Sequence, residues 1–303
     1  MKNQAQIRYN PLNGRSVIFA PKRAKRPNDI KNKTKKTACP FCASSVKKAA
    51  ILQQWPSSGQ WQSAAIKNIY PALSNKNKNA YGYQEIIIDS EHHCENFSEL
   101  NLKQIESVLK LFQLRNLELT KDKKIKYILT FKNQGRAAGA SLRHIHSQIF
   151  ASSILPPEII EERNRVALYQ TENGVCPYCL LTSNEQKSQR LIWQDGKMIA
   201  ICPFASEFPY EAWIISKRHV DNITLLNEGE LKSLAKILKL IAEKLKSLDY
   251  DFNFFSHNDI DNQHQHFYIK IQPRPNIWAG VELGSGLIIN PMMPEDAAKY
   301  YKK

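Results

Sequence analysis

Nowhere in the 303 residues do about 18 apolar residues run together, the length a membrane-crossing helix needs, so no such span is expected. The opening MKNQAQIRYNPLNGRSVIFA has no apolar leader stretch and no small-residue cleavage site. A soluble, cytoplasmic protein is therefore the expectation. Acidic residues are scarce: 28 Asp and Glu face 43 Lys and Arg, a formal charge of +15. That balance favours anionic partners, whether nucleic acid, a membrane surface or phosphorylated metabolites. Part of it lies in PKRAKRPNDIKNKTKKT, residues 21–37, which reads by itself as a solvated loop. The chain has no CxxC…HxxxH finger and no RNA-recognition aromatic signature. A non-catalytic zinc protein bound to nucleic acid is thus the minor alternative. Apolar residues make up 42%, which argues against global disorder. The length suits one large domain or two of about 150 residues each.

Histidine and cysteine are sparse too, at 8 and 6 residues, yet they are grouped. Four cysteines form two Cys-x-x-Cys pairs, CPFC (39–42) and CPYC (176–179). Without a secretion signal, that spacing points to metal before disulfide, and two copies with histidines downstream make a thioredoxin-like motif the weaker reading. The order then repeats. CPFC is followed by His93 and HIH (144–146); CPYC is followed by His219 and HQH (264–266). Such self-similarity marks a duplicated unit. We divide the chain into an N-terminal unit, 1–165, and a C-terminal unit, 166–303.

Regular structure matches between the halves. YQEIIIDSEHH (83–93) reads as a strand ending near His93, and YEAWIISKRH (210–219) does the same before His219. An amphipathic helix follows each, within 98–119 and around 228–248, with Ser98 and Asn227 as expected N-caps. KIKYILTF (124–131), RHIHSQIFA and HQHFYIKIQ read as strands. Strand periodicity then predicts one face for His144, His146 and Gln148, and one for His264, His266 and Tyr268. The fold class expected is α+β, two similar units, each a mostly antiparallel sheet with a helix across it.

Zinc in a structural site takes four Cys or His donors. Cys39, Cys42, His93 and His144 make one complete set. Cys176, Cys179 and His219 with either His264 or His266 make another. Iron could take the same donors. His92 rivals His93, and Cys94 less so; His257 and Cys202 have no repeat partner and receive no role. If His144 is a ligand, His146 is left over on the same strand. The loop before it, NQGRAAGAS (133–141), is built of small residues that let backbone N–H groups approach phosphate closely. A neutral imidazole facing phosphate can attack phosphorus, and Gln148, two residues on, can hydrogen-bond the same phosphate.

At these residues the chain resembles a known family. FKNQGRAAGASLRHIHSQ, the opening RYNPLNGRSVIFAPKRAKRP (8–27), IKNIYPAL (66–73), CPFC and the tail GVELGSGLIINPMMPEDAAK (280–299) are similar to the galactose-1-phosphate uridylyltransferase family of the histidine-triad superfamily. The second CPYC and the HSQ ending look closer to a subgroup that includes plant ADP-glucose phosphorylase. The resemblance implies ping-pong nucleotidyl transfer between a nucleotide sugar and a sugar 1-phosphate, or inorganic phosphate in a phosphorylase. It implies His146 as nucleophile and Gln148 as its phosphate partner. Asn133 and Ser141 would hold phosphates, and Arg23, Arg26 and Asn68 the nucleotide. Glu282 would bind sugar hydroxyls in the neighbouring subunit of a homodimer. Two zinc sites are implied, the second with His266 where the repeat alone would choose His264. Ile145 departs from the family's commoner His-Pro-His, as the subgroup does.

Overall fold

The computed structural model describes residues 5–9, 16–19, 39–47, 50–262 and 264–303. Arg23 and Arg26 lie outside these residues. A small ribbon of β1 (Gln6–Tyr9) and β2 (Ser16–Phe19) stands apart from the main sheet. The first half then supplies β3 (Ile51–Trp55), β4 (Ser63–Lys67), β5 (Gly82–Ile88), β6 (Tyr127–Gln134) and β7 (His146–Ser152). From the second half come β8 (Leu191–Gln194), β9 (Met198–Ile201), β10 (Ala212–Ser216), β11 (Phe252–Asp259) and β12 (Tyr268–Pro273). The helices are α1 (Leu102–Leu119), α2 (Pro157–Asn173), α3 (Pro177–Glu185), α4 (Glu228–Ser247), α5 (Gly280–Ser285) and α6 (Pro294–Lys302).

Ten strands form one continuous sheet in the order β3-β4-β5-β7-β6-β11-β12-β10-β9-β8. Every pairing in it is antiparallel. Read inward from either edge, the two halves have the same strand order, and β6 pairs with β11 at the join. This arrangement is consistent with internal duplication. It also shows that the halves share a sheet: the expected division at 165/166 falls inside α2.

Strand alternation separates two faces. Residues such as Ile87, Ile128, Ile149, Phe254 and Ile269 join α1 and α4 in the main core. The opposite face carries a smaller cluster on each half, around Phe41 and Ile88 and around Ile215 and Tyr268. α1 and α4 each start with a capping box. Asn101 pairs with Gln104 and Asn227 with Glu230, which satisfies backbone N–H groups that the first turn leaves open. The expected Asn227 cap is present. Ser98 is not a cap of α1, because Asn96 folds Phe97–Glu99 into a separate 3-10 turn and the helix begins four residues later.

Other boundaries move for similar local reasons. β5 and β10 stop at Ile88 and Ser216, so His93 and His219 stand on the turns beyond them. β6 runs over Tyr127–Gln134 instead of 124–131. β7 and β12 begin at His146 and Tyr268. His144, His264 and His266 therefore precede their strands. The shared face expected for each trio reduces to His146 with Gln148 in the first half and to Tyr268 in the second.

Candidate active site

Four donors converge beside the start of β7. Cys39 Sγ lies 3.4 Å from His144 Nδ1, and Cys42 Sγ lies 3.6 Å from His93 Nδ1 and 3.7 Å from His144 Nδ1. The second half repeats this at the start of β12. Cys176 Sγ is 3.8 Å from His266 Nδ1; Cys179 Sγ is 3.4 Å from His219 Nδ1 and 3.7 Å from His266 Nδ1. Within each set the donor atoms lie within 4.8 Å of one another. A tetrahedral zinc, with Zn–S of about 2.3 Å and Zn–N of about 2.0 Å, would separate S and N by roughly 3.5 Å. The residues fit such an ion, and the two clusters can hold metal.

Orientation supports that fit. His144 Nε2–H donates to Ser90 O at 2.9 Å, and His266 Nε2–H donates to Ser216 O at 2.8 Å. Each leaves Nδ1 as the donor toward the cysteines, the usual arrangement of a metal-ligating imidazole. Burial holds both rings neutral, at about 4 for each. His93 and His219 each face a carboxylate two residues on, Glu95 at 3.7 Å and Asp221 at 3.8 Å. His264 is exposed and bonds Gln170 instead. His92 sits at the surface beside Glu91, and Cys94 packs against the main core, neither in the cluster.

His146 sits just past the first cluster, buried, at the head of β7. Its Nδ1–H donates to His144 O at 2.9 Å, which places the lone pair on Nε2. Phe41, between the two cysteines of CPFC, packs edge-on against this ring at 5.1 Å. Sequence reading passed over Phe41, whose only signal was its place inside that motif. His146 lines two cavities. One of about 590 Å³ is mostly apolar and also bounded by Asn68, Ser141 and Gln148. A smaller one of about 210 Å³, of evenly mixed lining, is bounded by Asn133, Arg136 and Arg143.

The residues expected around His146 are thus largely brought together. Asn68 Oδ1 accepts from Tyr70 N at 2.8 Å, which folds the segment after β4 against the larger cavity. Asn133 Oδ1 accepts from Asn253 Nδ2 at 2.8 Å, so the join between the halves braces it. The loop after β6 needs Gly135, whose φ is +81° and whose added Cβ would lie 1.6 Å from Asp251 Oδ1. Glu282 is not brought in: it lies at the surface in α5, its carboxylate accepting from Ala279 N at 3.0 Å.

Register identifies the counterpart of this site in the second half. Gln148 pairs with Phe131, Phe131 with Phe255, and Phe255 with Lys270. Lys270 therefore corresponds to Gln148, and Tyr268 to His146. Around Tyr268 the space is almost filled, about 20 Å³, because Glu162 of α2 accepts hydrogen bonds from both Tyr178 and Tyr268. His257, without a role in the sequence reading, corresponds to Asn133 and is bonded to Tyr127 at 2.5 Å. Cys202 is buried in the main core.

The family model for the galactose-1-phosphate uridyl transferase N-terminal domain matches residues 56–156. ADP-glucose phosphorylase of Arabidopsis thaliana is 31% identical over 100% of this chain and 94% of its own length. The chain belongs to the galactose-1-phosphate uridylyltransferase family. Galactose-1-phosphate uridylyltransferase of Thermotoga maritima is 29% identical, with 98% of each chain covered. The crystal structure of the Arabidopsis phosphorylase with bound ADP-glucose superposes with a TM-score of 0.80 at 30% identity, covering 99% of both chains. As a member of this family, the protein is a nucleotidyltransferase. Among the described residues no helix is long and apolar enough to cross a membrane.

Proposed function

We propose that the protein transfers a nucleoside monophosphate from a nucleotide sugar through a covalent intermediate on His146, as a galactose-1-phosphate uridylyltransferase. The observation that carries this is the His146 tautomer: Nδ1–H is held by His144 O, so Nε2 bears the lone pair at the meeting of two cavities. In the first half-reaction Nε2 forms a bond to the α-phosphorus, and the P–O bond to the sugar 1-phosphate breaks. In the second, a phosphate oxygen of the acceptor attacks phosphorus and the N–P bond breaks, which returns neutral His146. The Gln148 side-chain amide donates to the phosphoryl oxygens as charge builds on them. Ser141 and Asn133 hold the phosphates, and Asn68, Arg23 and Arg26 the nucleotide. The larger, apolar cavity suits the base.

Zinc, with iron as the alternative, fits both clusters and would tie the CPFC turn, His93 and His144 to the strand that carries His146. We also propose a homodimer in which Glu282 binds sugar hydroxyls in the other subunit's site. An apolar, exposed stretch including Ile277, Leu283, Leu287 and Ile289 flanks Glu282 and supports that placement. The units 1–165 and 166–303 and a cytoplasmic location complete the reading.

A second reading, ADP-glucose phosphorylase with inorganic phosphate as acceptor, is favoured by Ile145 between the histidines and by the 31% identity to the Arabidopsis enzyme. Incubation of metal-loaded protein with UDP-glucose or ADP-glucose, labelled on the α-phosphorus, tests both. Retained label is expected from UDP-glucose, and its release by galactose 1-phosphate; label from ADP-glucose released by phosphate selects the second reading. His146→Ala should abolish labelling and keep the metal. No label from either nucleotide sugar would falsify the covalent mechanism.

A further inference from the structure

Beneath His146, on the face of the sheet that packs against the helices, lies a buried ion pair that the sequence reading passed over. Lys132 Nζ donates to Asp89 Oδ2 at 2.7 Å, with both side chains almost wholly buried. Nζ also lies 3.2 Å from the backbone carbonyl of His146. Ser147 Oγ donates to the same Asp89 oxygen at 3.0 Å. The neighbouring backbone is tied to the same segment: Asp89 N donates to Ile145 O at 3.4 Å, and His144 Nε2–H to Ser90 O. Every residue from His144 to Ser147 is thus anchored to Asp89, Ser90 or Lys132.

A buried pair of this kind is a poor way to gain stability, since well-packed apolar residues of similar size often do as well or better. The second half supplies an internal control. By strand register, Lys132 corresponds to Ser256, Ser147 to Ile269 and Asp89 to Ser216. That half has the same strand order and a matching Cys-Cys-His-His cluster, yet no ion pair at these positions. Neither the fold nor the metal cluster requires the pair. The pair accompanies the half that carries His146, with Gln148 and Asn133, where the second has Tyr268, Lys270 and His257.

On the reading that His146 is the nucleophile, we propose that Lys132, held by Asp89, is a positioning residue that fixes the His146 backbone so that its ring meets phosphorus in line. Lys132 touches neither substrate nor the reacting nitrogen; it acts through the His146 carbonyl and through Asp89. A displaced nucleophile loses rate without losing substrate affinity.

The test is the Asp89→Leu/Lys132→Met double variant, which removes both charges and keeps the core filled, beside Lys132→Met alone. Single-turnover transfer from labelled UDP-glucose or ADP-glucose to the protein is followed with metal content and thermal melting. The expected result for the double variant is a melt and metal content like wild type, nucleotide-sugar affinity within about 3-fold, and a transfer rate lower by about 100-fold. A double variant that melts like wild type and transfers at an unchanged rate overturns the proposal, as does a loss confined to affinity. If wild type itself takes up no label, the covalent reading fails instead, which separates the two failures.

Discussion

Phe131 and Phe255 lie opposite each other across the β6–β11 pairing, at the point where the two halves of the sheet meet. The register runs outward from this pair in matching steps, to Gln148 on one side and Lys270 on the other. It aligns two Cys-Cys-His-His clusters built alike and two strand starts that differ in chemistry. One carries His146 beside open cavities; the other carries Tyr268 in a space closed by Glu162.

His266→Ala should remove about one of two bound metal equivalents and lower the melting temperature, because it deletes one of four ligands of a structural site. His264→Ala should keep both equivalents, since that ring bonds Gln170 at the surface. Elemental analysis of the purified variants measures this directly; metal loss from His264→Ala and not from His266→Ala would reverse the assignment.

Gly135→Ala should destabilise the protein by more than about 1 kcal/mol, since its φ of +81° and the Asp251 carboxylate leave no room for a methyl group. Asp251 Oδ2 also accepts from Ala137 N at 2.7 Å, so the loop beside His146 should shift with it. Transfer rate should fall as well as stability. Chemical denaturation and single-turnover labelling together check the pair of effects.

Arg115 makes a two-pronged bond to Glu85, at 2.8 and 2.7 Å, in a nearly buried site under β5. Arg115→Met leaves the Glu85 carboxylate buried without its partner, at a cost of about 3–5 kcal/mol. Glu85→Gln/Arg115→Met, with neither charge, should recover much of that loss. A single variant as stable as wild type in urea titrations would refute the expectation.

Mixing two inactive variants tests the proposed shared site of a homodimer. His146→Ala and Glu282→Ala dimers, allowed to exchange subunits, should regain roughly a quarter of wild-type activity, because half of the dimers are then hybrids with one intact site. Light scattering on each variant establishes the dimer independently. A dimeric mixture that stays inactive would place Glu282 in its own subunit's chemistry or outside the site.

Much of the site was legible in sequence because its donors are grouped by short spacings. CPFC, CPYC and the two His-x-His segments announce themselves, and their repeated order pairs each cysteine set with its histidines. The box from Asn227 to Glu230 was equally local. Ser98 misled because a serine before an apolar stripe is also what a short 3-10 turn contains, and the preceding Asn96 decided between them. Strand alternation predicted a common face for His144 and His146, but the strand starts at His146, and His144, two residues earlier, turns into the cluster.

By itself the sequence determined the α+β class, the repeated order of elements, seven of the eight candidate metal donors and the His144–Gln148 segment as the candidate site, since each rests on residue type and spacing along the chain. Tertiary structure alone decided that the halves merge into one sheet through β6 and β11; its second cluster holds His266, as the resemblance implied, where spacing alone left His264 open. It alone placed Lys132 and Asp89 under His146. Those outcomes depend on contacts between segments 40 or more residues apart, such as Lys132 with Asp89. Strand pairing sets such contacts, and no local pattern encodes them.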